Sequence, residues 1–182
     1  MIYQPAEDSF LLQNSLKKFL KNKNKSLKIL DMGSGSGIQA QTCLDLGFKN
    51  IIAADINPES IEHLTNQKIN SIKTNLYSKI SKISKFDLII FNAPYLPRDK
   101  REPKKSQLAT TAGKKGYEII LKFLKNSKLH LKKEGKILLL FSSLSQPKVI
   151  LERAKKLGYN YSLLESQKLF FEEIYVFKFK LK

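Results

Sequence analysis

The stretch Leu27-Lys28-Ile29-Leu30-Asp31-Met32-Gly33-Ser34-Gly35-Ser36-Gly37-Ile38 decides the fold. Leu27 to Met32 reads as a buried strand that stops at three alternating glycines, and Ile38 to Leu46 beyond them has helical spacing. Working outward, apolar runs alternate with helical patterns along the chain, which is the signal for an α/β fold with a mainly parallel sheet. Ile51 to Asp55 gives a second strand, followed by a helix from Pro58 to about Lys68 with Asn57 as its N-cap. Residues 70 to 74 give a short third strand at an edge. Phe86 to Phe91 is a continuous apolar run of the central-strand type, stopped by Asn92 and Pro94.

The pattern then predicts a loop from Arg98 to Ala112, a helix from Gly116 to Leu131 ended by Gly135, and a fifth strand from Lys136 to Phe141. A helix over Pro147 to Leu157 and a closing antiparallel pair, near Tyr159 to Glu165 and Ile174 to Phe179, complete seven strands. Glu7 to Leu20 makes an extra helix in front, so residues 1–25 read as a helical lid segment on a single domain of residues 1–182. Lys21 to Lys25 is an exposed connector. At 182 residues and 42% hydrophobic content the chain can bury one sizeable core.

Composition narrows the class. Its longest apolar runs fall far short of the roughly 20 residues that cross a bilayer, and Glu7 and Asp8 stand where a secretory signal has a basic stretch, so a cytoplasmic protein without membrane contact is expected. Cys43 is the only cysteine, which excludes an intrachain disulfide and a thiolate zinc site. No metal site is expected. The net charge of +17 points toward an anionic partner. Only three of the 33 basic residues are Arg, however, and the lysines are scattered as on solvated faces. Arg98, Lys100, Arg101, Lys104 and Lys105 form one local cluster, placed for RNA or ribosome contact or for docking a macromolecular substrate.

The glycine loop and Asp55 suit a nucleoside ligand: glycine lets backbone approach closely, and a carboxylate at the end of the second strand accepts from both ribose hydroxyls. Gly-x-Gly-x-Gly is not the dinucleotide spacing. Asp31 would repel a pyrophosphate but attract the ammonium of a methionine moiety, which favours S-adenosyl-L-methionine over a nicotinamide dinucleotide.

Asn92-Ala93-Pro94-Tyr95 resembles the Asn-Pro-Pro-Tyr signature of methyltransferases acting on planar nitrogens. Such a nitrogen has its lone pair delocalised and must be oriented for in-line attack. Asn92 offers its side-chain oxygen to one N–H, the Ala93 carbonyl takes the other, Tyr95 stacks on the planar group and Pro94 stiffens the loop. Ala93 replaces the commoner proline but keeps the carbonyl.

Tyr3-Gln4-Pro5-Ala6-Glu7-Asp8-Ser9-Phe10-Leu11-Leu12, with Asp55-Ile56-Asn57-Pro58-Glu59 and Phe91 to Tyr95, resembles the archaeal and eukaryotic branch of the HemK-like release-factor glutamine methyltransferases over nearly the whole length. The resemblance implies a Rossmann-like class I methyltransferase fold, a seven-stranded mainly parallel sheet with helices on both faces. It implies cofactor contacts at Ser9, Asp31, Gly33, Gly35, Asp55, Asn75, Leu76 and Asn92, with Asn75 replacing an Asp. The implied substrate is the glutamine of the Gly-Gly-Gln loop of a class I translation release factor. A small zinc-binding activator protein is implied as partner along the edge at Ile69 to Leu76. Competing readings are a nucleic-acid base-amine methyltransferase, a protein lysine methyltransferase, and a degenerate methyltransferase fold serving as a binding subunit.

Overall fold

The computed structural model describes residues 2–97 and 111–182. The basic cluster Arg98 to Lys105 lies outside the described residues. Seven strands form one sheet: β1 (Ile29–Met32), β2 (Ile51–Asp55), β3 (Ser71–Lys73), β4 (Phe86–Asn92), β5 (Leu131–Ser142), β6 (Tyr159–Lys168) and β7 (Glu173–Leu181). Their order across the sheet is β3-β2-β1-β4-β5-β7-β6. The first five run parallel, while β7 inserts antiparallel between β5 and β6. The expected α/β fold, with β3 at an edge and an antiparallel C-terminal pair, is borne out.

Both faces of the sheet are covered, and the alternation along each strand shows why. Leu30 and Met32 of β1, with Ile89 and Phe91 of β4, face a core closed by α4 (Glu118–Ser127) and α5 (Pro147–Lys156). The opposite side chains, including Ile29, Leu88 and Ile90, meet α1 (Glu7–Leu20), α2 (Ile38–Asp45) and α3 (Pro58–Asn66). Leu12, Leu16 and Leu20 of α1 are fully buried in that second layer. Only the first turn of α1 reaches the carboxyl end of the sheet, where Asp8 and Ser9 line a cavity. Asn57 caps α3 as expected, its side chain accepting from the Glu59 N–H at 3.0 Å.

The region around Gly135 corrects the sequence reading. The helix predicted to Leu131 ends at Ser127, and Leu131 already opens β5. Ile120, Phe123, Leu124 and Ser127 form the buried stripe of α4, and Leu131 falls four residues further on, so helical periodicity continued in the sequence past the real helix end. Gly135 is not a terminator but lies inside β5, where pairing with β4 slips between Phe86 and Leu88. A Cβ there would sit 2.8 Å from the Phe86 carbonyl oxygen and 2.9 Å from Leu131. Among the described residues, no helix is long and apolar enough to cross a membrane.

Because the obstacle at Gly135 is backbone of a central strand, Gly135→Ala is expected to destabilise the protein by about 1–3 kcal/mol, the usual cost of overpacking a core. Urea denaturation measures it, and an unchanged midpoint contradicts the tight-approach role.

Candidate functional site

The order of the sheet reverses at β1, since β2 lies on one side of it and β4 on the other. Such a switch point leaves a crevice at the carboxyl ends of the strands. Here it is a cavity of about 590 Å³. Every residue singled out from sequence lines it: Ser9 from α1, Asp31, Gly33 and Gly35 from the end of β1, Asp55 from β2, Asn75 and Leu76 after β3, and Asn92, Ala93, Pro94 and Tyr95 from β4.

Gly33 stands against β4. Its φ is +61°, and a Cβ would meet the Phe91 ring at 2.9 Å, so only glycine brings the loop this close to the neighbouring strand. Gly37, at φ +83°, starts α2. Asp55 accepts the Gly35 N–H at 2.8 Å on one oxygen and the Asn57 N–H at 2.8 Å on the other. Each oxygen keeps a second lone pair for a ligand hydroxyl.

Asp31 is buried, and its Oδ2 accepts from Ser34 Oγ and from the Ala40 N–H at 3.1 Å, tying the loop to the first turn of α2. Burial pushes its carboxyl up to about 7; the bonds from Ser34 and Ala40 oppose the rise and the nearby Asp55 carboxylate adds to it. The capping role is therefore held by Oδ2 alone.

Asn92 ends β4 with its amide oriented. Nδ2 donates to Asp8 Oδ2 at 3.1 Å and to Ser9 Oγ at 3.4 Å. Oδ1 is buried and, among the described residues, has no hydrogen-bond donor. A buried acceptor without a donor is costly, at roughly 1–3 kcal/mol. Asp8 is itself held: the Ser9 N–H lies 2.5 Å from Oδ1, and Tyr3 donates its hydroxyl to the carboxylate at 3.2 Å. Gln39 repeats the pattern, since Nε2 donates to the Ser9 carbonyl at 2.9 Å while Oε1 is buried without a donor among the described residues.

Tyr3, Asp8 and Gln39 were not picked out as site residues. Tyr3 and Asp8 belong to the N-terminal motif, which was the signal available. Gln39 looks like any polar helix residue. Tyr95 is half-buried, its carbonyl accepting from Ser145 Oγ at 3.2 Å, and burial together with the carboxylates of Asp8 and Glu172 holds its phenol well above the ordinary range. It stays neutral. Leu76 takes a left-handed conformation, φ +49°, steadied by a bond of 2.9 Å from Thr74 Oγ1 to its carbonyl. Among the described residues, no group of three His, Cys, Asp or Glu is placed to hold a metal.

With this geometry in view, the chain is 36% identical to a candidate protein N5-glutamine methyltransferase of Methanocaldococcus jannaschii, over 96% of this chain and 89% of that one. The chain belongs to the protein N5-glutamine methyltransferase family. A release factor glutamine methyltransferase of Fusobacterium nucleatum is 38% identical over 41% of this chain, a match spanning 23% of that larger protein. The family model described as ribosomal protein L11 methyltransferase (PrmA) matches residues 12–94, the half that carries the glycine loop and Asn92. Among solved structures, the E. cuniculi Mtq2–Trm112 complex responsible for methylation of the eRF1 translation termination factor superposes with a TM-score of 0.81 at 24% identity, covering 100% of this chain and 99% of that one. That likeness shows a shared class I methyltransferase fold. In this N5-glutamine methyltransferase family member, Ala93 keeps the Asn92–Tyr95 loop in place, buried in the core beside Phe91.

The direction of the Asp31 shift predicts a pH effect on the free protein. Its folded value of about 7 lies above the ordinary 3.8, so its contribution to stability is full below the ordinary value and is lost as pH rises through about 7. The loss is no steeper than about 1.4 kcal/mol per pH unit. Thermal melts from pH 5 to 8 are expected to show a decline in the wild type that Asp31→Asn flattens; parallel profiles would contradict the assignment.

Proposed function

We propose that this chain transfers a methyl group from S-adenosyl-L-methionine to the side-chain amide nitrogen of a glutamine, that of the Gly-Gly-Gln loop of a class I translation release factor. The observation that carries the reading is Asn92, a cavity-lining residue whose Oδ1 is a buried acceptor with no donor among the described residues while Nδ2 is anchored on Asp8 and Ser9. Family membership and the relatives' names support the substrate class.

The residues present fit the cofactor. Asp31 Oδ1 and Gln39 Oε1 are acceptors for its ammonium, Asp55 for its ribose hydroxyls, and the loop at Gly33 and Gly35 gives close backbone approach. Asn75 and Leu76 would hold its adenine, and Ser9 and Asn92 would lie toward its reacting end. When bound, the cofactor supplies an electrophilic methyl group whose transfer leaves a neutral thioether. The chain's own work is positioning. Asn92 Oδ1 would take one amide N–H and the Ala93 carbonyl the other, which fixes the plane of the amide NH2 group and with it the direction in which its lone pair can attack. Pro94 fixes the turn, and Tyr95 packs on the planar amide. As the new C–N bond forms the methyl–sulfur bond would break with its electron pair going to sulfur, and the nitrogen would pass one proton to solvent water; a neutral leaving group requires no acid.

A base-amine methyltransferase would use the same acceptors, and its macromolecular contacts would fall on Arg98 to Lys105. The N-terminal Pro5 to Asp8 segment, which anchors Asn92 here, favours the protein glutamine. Among the described residues no strand pairs with the outer edge of β3, and that edge, at Ile69 to Leu76, is where a zinc-binding activator would dock. Co-expression with that activator is expected to raise soluble yield and cofactor affinity together; neither changing speaks against the docking edge.

Incubation with labelled S-adenosyl-L-methionine, activator and either release factor or total RNA tests the main reading, and label in RNA alone overturns it. Asn92→Ala is expected to lower kcat by at least about a hundredfold, as for loss of an oriented transition-state contact. Asp8→Ala leaves Asn92 in place without its anchor, so kcat is expected to fall about tenfold or more, with KM for cofactor within a few-fold. Equal losses in both parameters would make Asp8 a cofactor ligand instead.

A further inference from the structure

The hairpin joining β6 to β7 turns at the cavity's edge of the sheet. Antiparallel pairing sets Ile174 of β7 opposite Ser142, at the carboxyl end of β5, so the turn that precedes Ile174 projects past the strand ends. The turn Leu169-Phe170-Phe171-Glu172 is closed by the Leu169 N–H donating to the Glu172 carbonyl at 2.7 Å. Leu169 packs against the same apolar cluster as Tyr95. Next to it, the Glu173 N–H donates to Ser143 Oγ at 3.0 Å, and Ser145, two residues on, holds the Tyr95 carbonyl. One turn of 3-10 helix, Ser143–Ser145, thus ties the hairpin tip to the Asn92–Tyr95 loop.

On this anchored tip stand the most exposed aromatic side chains of the described residues. Phe170 is 92% exposed and Phe171 86%. Their rings meet edge to face with centroids 4.6 Å apart. Neither ring contributes to the core. Together they present an apolar surface already paired, with few rotatable bonds to freeze on contact, the property that makes aromatics efficient interface anchors.

We propose that Phe170 and Phe171 form a wedge that seats in an apolar cleft of the folded protein domain carrying the methyl-accepting glutamine. The proposal rests on the protein-glutamine reading above. A glutamine that reaches Asn92 Oδ1 arrives on a narrow loop, which leaves the body of its domain at the mouth, beside Leu169 and Tyr95. There the wedge meets it. Glu172 Oε2 is buried and Glu173 accepts from the Tyr175 hydroxyl at 3.1 Å, while Lys168 on the other side of the turn is exposed, so the tip offers an apolar surface with little net charge to hold a phosphate backbone. A folded protein therefore fits this tip better than RNA.

The test is steady-state methylation of full-length release factor by the chain with its activator, comparing wild type with F170A/F171A and F170L/F171L. The alanine pair is expected to raise KM for release factor at least about tenfold, with kcat, cofactor affinity and melting temperature unchanged; the leucine pair is expected to recover most of the loss. A KM within twofold of wild type for the alanine pair overturns the wedge. So does an alanine pair that loses only labelling of RNA, or only self-association in sedimentation. If the wild type leaves release factor unlabelled, the substrate reading fails and the wedge with it, whereas normal wild-type transfer beside an indifferent variant removes the wedge alone.

Discussion

Parallel pairing of β1 with β4, which sets Met32 beside Phe91, is the constraint on which the rest depends. It places the glycine loop and the Asn92 loop side by side at one edge of the sheet. The contact is close enough that Gly33 has no room for a Cβ against the Phe91 ring. A cofactor seated on the first loop must then present its sulfonium side to the second. Hydrophobic faces of both strands, buried under helices on either side, hold this register, because a one-residue slip would turn Ile89 and Phe91 out of one core and into the other. Packing energy is thereby converted into the spacing between two sets of hydrogen-bonding groups.

What was legible in the sequence follows from how local each signal is. The glycine loop, Asp55 and the Asn92 tetrapeptide each lie within a few residues of a strand end, so strand periodicity placed them. The contact from Asn92 to Asp8 spans 84 residues, and no periodicity reports it. Only the motif around Pro5 hinted that the N-terminus belonged to the site. Gly135 misled for a related reason: a glycine after a helical stripe looks like a cap, and the true cause, a slipped pairing against Phe86, is a tertiary fact. Leu76 in a left-handed conformation and the exposed Phe170 and Phe171 likewise depend on neighbours that the chain reaches only when folded.

Charge shows the same division. A net charge of +17 is a property of the whole surface, yet the described cavity is lined by Asp8, Asp31, Asp55 and Glu59 with Lys122. On the proposed reading, such a lining would favour a cation bearing hydroxyls over a pyrophosphate, whatever the lysines outside contribute to long-range attraction. Bulk composition and site chemistry are separate statements. Only the second bears on the reaction.

Asp31 shows how one residue can serve the fold and the ligand without conflict. Its Oδ2 is committed to Ser34 and the Ala40 N–H, which keeps the loop and α2 together in the free protein. Those two bonds do not overcome the cost of burial, so the carboxyl sits near neutrality and holds its proton more readily than an exposed acid. On the proposed reading, an ammonium arriving at Oδ1 would add the missing counter-charge and favour the ionised form, so that ligand binding and proton release would be linked. The loop is therefore assembled before the ligand arrives, and the charge that greets the ligand is completed by the ligand itself.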